Sequence, residues 1–161
     1  MTNRPNLSRG RGYLAIPGPS VMPEAVLQAM HRAAPNIYEG EVVEMMPSII
    51  HDLKRVARTE HYATIYIGNG HAAWEAALSN VVAPGDRVLV PVTGRFGHGF
   101  GDVATGLGAD VQVLDFGKSS PMDLEVIAQA LAEDKDHRIK AVLVVHVDTS
   151  SSVLNDIKGV R

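Results

Sequence analysis

The chain has 161 residues and a net charge of −3 at pH 7, with 45% hydrophobic and 20% charged residues. This composition is typical of a folded globular domain, and the slight acidic excess argues against a nucleic-acid partner. There is no cysteine, which excludes disulfides and thiolate metal sites, and no apolar run reaches the ~20 residues that span a bilayer. We therefore expect a cytoplasmic protein with neither a membrane nor a nucleic-acid partner.

The N-terminal part of the chain is predicted to contain an arm and two helices. Residues 1–22 are expected to form an irregular arm, because proline and glycine interrupt any helix there, and residues 23–161 are expected to form one domain. Apolar side chains at helical spacing predict helices over 23–34 and 42–58. Pro47 lies inside the second of these, which predicts either a kink or a start nearer to Pro47.

From residue 63 onward, short apolar runs alternate with helical segments. Strands are predicted at 63–67, 87–92, 110–115 and 140–146, and helices at 71–82, 97–107 and 123–133. The strands are apolar on both faces, as in a parallel sheet that helices cover on both sides. The pattern predicts an α/β fold with a mostly parallel sheet and flanking helices. Because the sequence stops soon after the last strand, we expect the domain to be truncated.

The segment GNGH (68–71) lies between a predicted strand and a predicted helix. Ligands of open α/β sheets bind at such points, where glycine allows close approach and the first N–H groups of the helix favour an anion. A tight turn that needs glycine for its own dihedral angles is the alternative. The segment also begins a G-x-G-x-x-A match to dinucleotide-binding loops. The acid that would hold the ribose is absent, because the next strand ends in VPVT (90–93).

Two further strand ends carry ligand-type residues. TGRFGHG (93–99) contains Phe96, whose ring could stack on a planar ligand or pack within its loop, and HVDTSSS (146–152) has four consecutive hydroxyls. These hydroxyls could bind a phosphate or a ring oxygen, or could be solvated. Since carboxyl ends of parallel strands meet at one edge, the three loops together predict a site for a planar aromatic phosphate. The histidines lack the spacing of a metal site, and there is no G-x-S-x-G nucleophile.

Five segments occur in the order seen in class V pyridoxal-phosphate aminotransferases. They are PGPS (17–20), GNGHAAWEAALSN (68–80), PGDRVLV (84–90), TGRFGH (93–98) and HVDTSSSV (146–153). The sequence most resembles the alanine–glyoxylate and serine–glyoxylate group, from about residue 14 to the end. The resemblance implies that the chain is the N-terminal part of a fold-type I large domain. It also implies that the whole enzyme works as a homodimer. The implied reaction passes an amino group from a small amino acid, such as serine or alanine, to a 2-oxo acid such as glyoxylate.

The resemblance also implies roles for individual residues. The loop at Asn69 would hold the phosphate of pyridoxal 5'-phosphate, the ring of Phe96 would stack on its pyridine, and a hydroxyl at 149 or 150 would bond near its ring hydroxyl. Gly18 would line the substrate side. The implied cofactor-binding residues are Asn69, Gly70, His71, Phe96, Thr149 and Ser150. The sequence departs from the family at Asn69 (usually serine), Phe96 (often tryptophan), Asp148 (glutamate) and Ser152 (glycine).

In the family, a lysine binds the cofactor as a Schiff base, and it lies further along the chain than the hydroxyl loop. The lysines of this sequence are Lys54, Lys118, Lys135, Lys140 and Lys158, and none has a matching context. We therefore expect the catalytic lysine beyond Arg161 and expect the 161 residues alone to be inactive. Two alternatives stay open: another pyridoxal-phosphate chemistry on this fold (a lyase or a pyridoxamine-specific transaminase), or a non-catalytic fragment that binds cofactor or phosphate.

Overall fold

A computed structural model describes residues 14, 16, 18 and 21–161. The chain divides into two compact units, of which the first ends at Thr64 and the second comprises Ile65–Arg161. The second unit contains all the strands of the described residues.

The first unit contributes two helices. Helix α1 (Glu24–Met30) begins directly after Pro23, whose φ of −57° suits a helix start, and it ends earlier than the predicted residue 34. Helix α2 (Glu41–Ala57) has acidic side chains in its first turn and basic ones in its last, which complements the helix dipole. It runs through Pro47 without interruption, so the alternative of a start near Pro47 is wrong.

The second unit is built on a three-stranded parallel sheet. Its strands are β1 (Arg87–Val92), β2 (Asp110–Asp115) and β3 (Ile139–Val142), in the order β2-β1-β3. Its helices are α3 (Gly70–Val81), α4 (Arg95–Gly106), α5 (Leu124–Glu133) and α6 (Ile157–Val160), and a short antiparallel pair is formed by β4 (Val147–Asp148) and β5 (Val153–Leu154). The predicted α/β fold with a mostly parallel sheet is confirmed.

The central strand β1 is buried on both faces. Val88, Val90 and Val92 pack in one cluster with side chains of α3 and α4, whereas Leu89 packs on the other face with Ile127 of α5. Full burial of such side chains stabilises the fold by about 1.5–3 kcal/mol each. This two-sided burial is the physical reason for the unbroken apolar run that predicted the strand.

Two predicted strands differ from the structure. Residues 63–67 form no strand, because none of the described strands pairs with them, and Ile67 is fully exposed. The strand predicted at 140–146 ends at Val142. The N–H of Leu143 still donates to Leu89 of β1, but the carbonyl oxygens of Val145 and His146 accept from Asn155, so the chain there bonds to its own later segment.

The turn that joins β4 to β5 contains a strained residue. Ser152 has a φ of +61°, a left-handed conformation that costs a residue with a Cβ about 1–2 kcal/mol. Ser152→Gly is therefore expected to raise the free energy of unfolding by about 1 kcal/mol, measured by urea unfolding. Ser119→Gly, at an exposed serine without positive φ, is the control and should give no gain. An equal effect of the two substitutions would contradict the assignment of strain to Ser152.

Candidate functional site

The N-terminus of α3 leaves two backbone donors without an acceptor in the part of the chain that the structure describes. Asn69 caps the helix: its side-chain oxygen accepts from the N–H of Ala72 at 3.1 Å, and its carbonyl oxygen accepts from Ala73. Among the described residues, no acceptor is found for the N–H groups of Gly70 and His71. A Cβ on Gly70 would have nothing within 4 Å. Two N–H groups beside open space can bind an anion.

The two glycines of this loop serve different purposes. A Cβ on Gly68 would lie 2.7 Å from the Cβ of Ala72, so this glycine is required for the turn to pack on its own helix. Gly70 has no such neighbour. The turn explanation therefore accounts for Gly68, whereas the open space at Gly70 leaves room for a ligand.

The N-terminus of α4 has its donors occupied by the chain itself. Asp148 is fully buried, and its carboxylate accepts from the N–H of Gly97 at 3.0 Å and from the N–H of Ser150 at 3.0 Å. The hydroxyl of Ser150 donates to the same carboxylate at 2.6 Å and accepts from the N–H of Arg95 at 2.7 Å. The two glycine loops look alike in sequence, but the loop at 93–99 is closed to an external anion.

The hydrogen bonds of Asp148 decide its ionisation. Burial raises the pKa of this carboxyl, but the hydroxyl of Ser150 and the N–H groups of Gly97, Ser150 and Phe96 lower it. The hydrogen bonds outweigh burial, so the pKa lies below its ordinary value of 3.8. Asp148 is therefore a buried carboxylate at neutral pH, held by a helix N-terminus.

This ionisation predicts a loss of stability in acid. Because the pKa of Asp148 is lowered in the folded chain, its contribution is complete above the unfolded pKa near 3.8 and is lost as the pH falls through the folded pKa. Asp134 acts in the same direction, since the N–H of Ile139 lowers its pKa. The free energy of unfolding, measured in urea from pH 7 to pH 3, is expected to fall below about pH 4. In Asp148→Asn, the free energy of unfolding should fall less steeply as the pH is lowered. An unchanged pH dependence would show that Asp148 does not cause the loss of stability.

An aromatic cluster lies beside the open end of α3. The ring centroids of His71 and Trp74 are 4.8 Å apart in an edge arrangement, and Trp74 stacks on Phe100 at 4.7 Å. Phe96 lies 6.1 Å from His71 and 6.4 Å from Trp74. Trp74 belongs to no ligand motif, and the one sequence signal for its place here is its position three residues after His71, on the same helix face.

The predicted residues His71 and Phe96 line one cleft. Its volume is about 580 Å³, and its lining consists of His71, Arg95, Phe96, His98, Gly99, Asp102 and Val103. The imidazole of His98 lies 3.6 Å from the carboxylate of Asp115. An apolar ring face, a cationic Arg95 and an adjacent pair of free N–H groups are the groups that a planar aromatic anion requires.

In the hydroxyl loop, residues 149–152, the hydroxyls of Ser150 and Ser151 both donate to Asp148, to its carboxylate and its carbonyl oxygen respectively. Ser150 donates its only hydroxyl proton to Asp148, so it can offer a ligand nothing but a lone pair. Thr149 is exposed, and no hydrogen bond of its hydroxyl is found in the part of the chain that the structure describes. Of the two predicted residues, Thr149 is the one free to donate.

Asn155 ties this loop to the end of β1. It is 3% exposed, and its side-chain amide donates to the hydroxyl of Thr93 at 2.9 Å and to the carbonyl of Val145 at 2.8 Å. Its side-chain oxygen accepts from the N–H of Met122 at 3.0 Å. No local pattern marks Asn155 or Asp148 as anchors, because the segments that they join to this loop, at Thr93, Gly97 and Met122, are remote in sequence.

Other predicted or candidate groups lie elsewhere. Gly18 is exposed with open space around it, and its substrate-side role stays a prediction.

A second cavity of about 730 Å³ is lined by Val144, His146, Leu154, Asn155, Asp156, Ile157 and Lys158. None of the predicted cofactor-binding residues lines this larger cavity, so we assign the site to the smaller cleft. No group of metal ligands is found among the described residues.

Comparison with known proteins identifies the relatives of the chain. No family model matches it. It is 37% identical over 161 residues to a serine–glyoxylate aminotransferase of Methylorubrum extorquens. The match covers 99% of this chain and 39% of that protein. The chain is similar to the glyoxylate aminotransferases. It spans about two fifths of the length of the curated relatives.

Solved structures agree with these relatives. An alanine–glyoxylate aminotransferase from Nostoc sp. matches with a TM-score of 0.71 and 32% identity, over 96% of this chain and 43% of that one. A ureidoglycine–glyoxylate aminotransferase from Bacillus subtilis matches with a TM-score of 0.76 and 28% identity. This match covers 89% of this chain and 37% of the Bacillus chain. The predicted resemblance to this group is confirmed. The fold is that of the fold-type I aminotransferases, and the chain covers about two fifths of each of these neighbours.

Proposed function

We propose that the chain is the N-terminal part of a pyridoxal-phosphate-dependent class V aminotransferase. The whole protein would transfer an amino group from a small amino acid, such as serine or alanine, to a 2-oxo acid such as glyoxylate. The names of the relatives support this reaction class. The observation that carries the proposal in this chain is the free pair of N–H groups at Gly70 and His71, next to the ring of Phe96.

The residues present fit the proposed cofactor. The N–H groups of Gly70 and His71 would hold its phosphate, since they have no acceptor among the described residues and a Cβ on Gly70 would have nothing within 4 Å. Phe96 would lie against its ring, and Thr149 would bond near its ring hydroxyl, because the proton of Ser150 is already committed. When bound, the cofactor supplies an electron sink for the substrate carbon.

The chain's own residues position and shield such a ligand. Asn69 holds the first turn of α3 in shape through its cap, which keeps the two free N–H groups fixed. Trp74, which stacks on Phe100 and contacts His71 edge-on, gives the His71 ring an apolar support. Transamination also requires an amine that anchors the cofactor. No lysine lines this cleft, and we propose that it comes from the part of the relatives that this chain does not span.

The remaining parts of the proposal concern the whole protein. We propose residues 23–161 as the N-terminal part of its large domain, within a cytoplasmic homodimer. Exposed apolar side chains of the first unit, among them Met30, Ile37 and Val56, support an interface with a second copy. No helix in the described part of the chain is long and apolar enough to cross a membrane.

Trp74 provides a direct test of cofactor binding, because it is the only tryptophan and lies in the cluster with His71 and Phe96. Pyridoxal phosphate absorbs where tryptophan emits, so its binding should quench Trp74 fluorescence saturably. Inorganic phosphate should compete, and pyridoxal without phosphate should quench only weakly. Equal quenching by pyridoxal and its phosphate, or no saturation, would rule out the phosphate site at Gly70 and His71.

A further inference from the structure

We propose that Asp148 is a positioning residue that joins α4 to the hydroxyl loop and so sets Phe96 and Thr149 as one ring-binding unit. This inference rests on the proposed function, since it concerns how the ring of the cofactor is held. In this proposal, the ring and the phosphate of the ligand are held by two different parts of the chain. The ring-binding unit depends on Asp148, whereas the phosphate-binding end of α3 does not.

The contacts of Asp148 reach both parts of the ring-binding unit. One carboxylate oxygen accepts from Gly97, the residue that follows Phe96, and the other accepts from the N–H and the hydroxyl of Ser150, the residue that follows Thr149. Ser150 in turn accepts from Arg95, the residue that precedes Phe96. Phe96 and Thr149, the two residues proposed to hold the ring, are therefore both adjacent in sequence to groups that share this one carboxylate.

Gly94 shows how closely the two segments approach each other. Its φ of 170° is ordinary extended backbone, so no dihedral angle requires glycine here. A Cβ on Gly94 would instead collide with the carboxylate of Asp148 and would lie 2.7 Å from the hydroxyl oxygen of Ser150. The N-terminus of α4 and the hydroxyl loop thus lie in direct contact at Gly94.

The charge of Asp148 is balanced by the helix. No ion pair to Asp148 is found among the described residues, and its partners are N–H groups at the N-terminus of α4 together with Ser150. A helix N-terminus favours a carboxylate, and charge-assisted hydrogen bonds are stronger than neutral ones. A neutral side chain at 148 would therefore loosen the connection, even if its size were unchanged.

The phosphate-binding end of α3 has its own support. Asn69 caps α3 through Ala72 and Ala73, and none of the hydrogen bonds of Asp148 involves α3. This separation gives Asp148 a signature that a general loss of stability would not produce. When Asp148 is replaced, the affinity for pyridoxal phosphate should fall, while the affinity for inorganic phosphate should stay the same.

The test compares two ligands on Asp148→Asn in the full 161-residue chain. The dissociation constant for pyridoxal phosphate, from Trp74 quenching, is expected to rise about tenfold, because a charge-assisted network is lost. The dissociation constant for inorganic phosphate, followed by NMR through the Gly70 and His71 amides, should stay unchanged. Hydrogen exchange of the Gly97 amide should become at least ~10-fold faster. Asp123→Asn, which alters the N-cap of α5, is the matched control and should change none of these.

Each other outcome overturns the inference in a recognisable way. An unchanged affinity of Asp148→Asn for pyridoxal phosphate, or an equal loss for both ligands, would show that Asp148 does not position the ring. A wild-type chain that binds neither ligand would overturn the proposed function itself, and the inference with it. If Asp148→Asn does not fold, Ser150→Ala keeps the bond from Gly97 to the carboxylate and should still weaken pyridoxal phosphate binding selectively.

Discussion

Replacement of Gly70 by leucine is expected to raise the dissociation constant for pyridoxal phosphate by at least ~10-fold, because a side chain there would occupy the space beside the free N–H groups. A Cβ at this position meets nothing within 4 Å, so the folded chain can accept the larger residue. The free energy of unfolding should therefore be unchanged or slightly higher. Trp74 quenching measures the affinity, and urea unfolding measures the stability.

The control for this substitution is Gly106→Leu. Gly106 is also helical, a Cβ on it also has nothing within 4 Å, and it lies at the opposite end of α4 from Phe96. This variant should bind pyridoxal phosphate as the wild type does. If Gly70→Leu kept its affinity, or if both variants lost it equally, the phosphate would not be bound at α3.

Leu89→Ala is expected to lower the free energy of unfolding by about 2–5 kcal/mol, the range for removing a large side chain from a packed core. Leu89 is completely buried in the central strand and packs with Met122, Ile127 and Ala130 on the face that α5 covers. The substitution leaves a cavity under α5 that the rigid sheet cannot close. Urea unfolding followed by circular dichroism measures the change.

Leu154→Ala is the matched control for the core substitution. Leu154 is 63% exposed, so its truncation should change the free energy of unfolding by no more than about 0.5 kcal/mol. A small effect at Leu89 would mean that the α5 face of the sheet contributes little to stability, and the two-sided burial of β1 would then not explain its apolar sequence.

The regular elements of the second unit were predictable because their signals are local. β1 and β2 have the predicted bounds, and α3 begins within one residue of its predicted start. An apolar run bounded by glycine and aspartate predicts a buried strand whatever its neighbours are. The segment at 63–67 is also apolar and is followed by glycine, but no aspartate precedes it. It forms no strand, since a strand requires a paired neighbour and no described strand pairs with it.

The cofactor-binding residues were predicted from loop chemistry and a family resemblance, and the structure brings His71 and Phe96 together in one cleft. The larger cavity is lined by none of these residues, although His146 of the predicted strand-end segment 146–152 belongs to its lining. Trp74, Asp148 and Asn155 were not assigned their supporting roles, since each acts through neighbours that packing supplies.

The amino-acid sequence alone was sufficient for the α/β class, the parallel strands and the presence of two glycine loops at helix starts, because these depend on spacing within short segments. Which of the two loops is open to an anion depended on the folded chain. Asp148 lies 51 residues after Gly97 and occupies the N-terminus of α4, while the first N–H groups of α3 find no acceptor among the described residues. Sequence patterns record which donors a helix start offers, but only folding brings a distant carboxylate to one helix and leaves the other free.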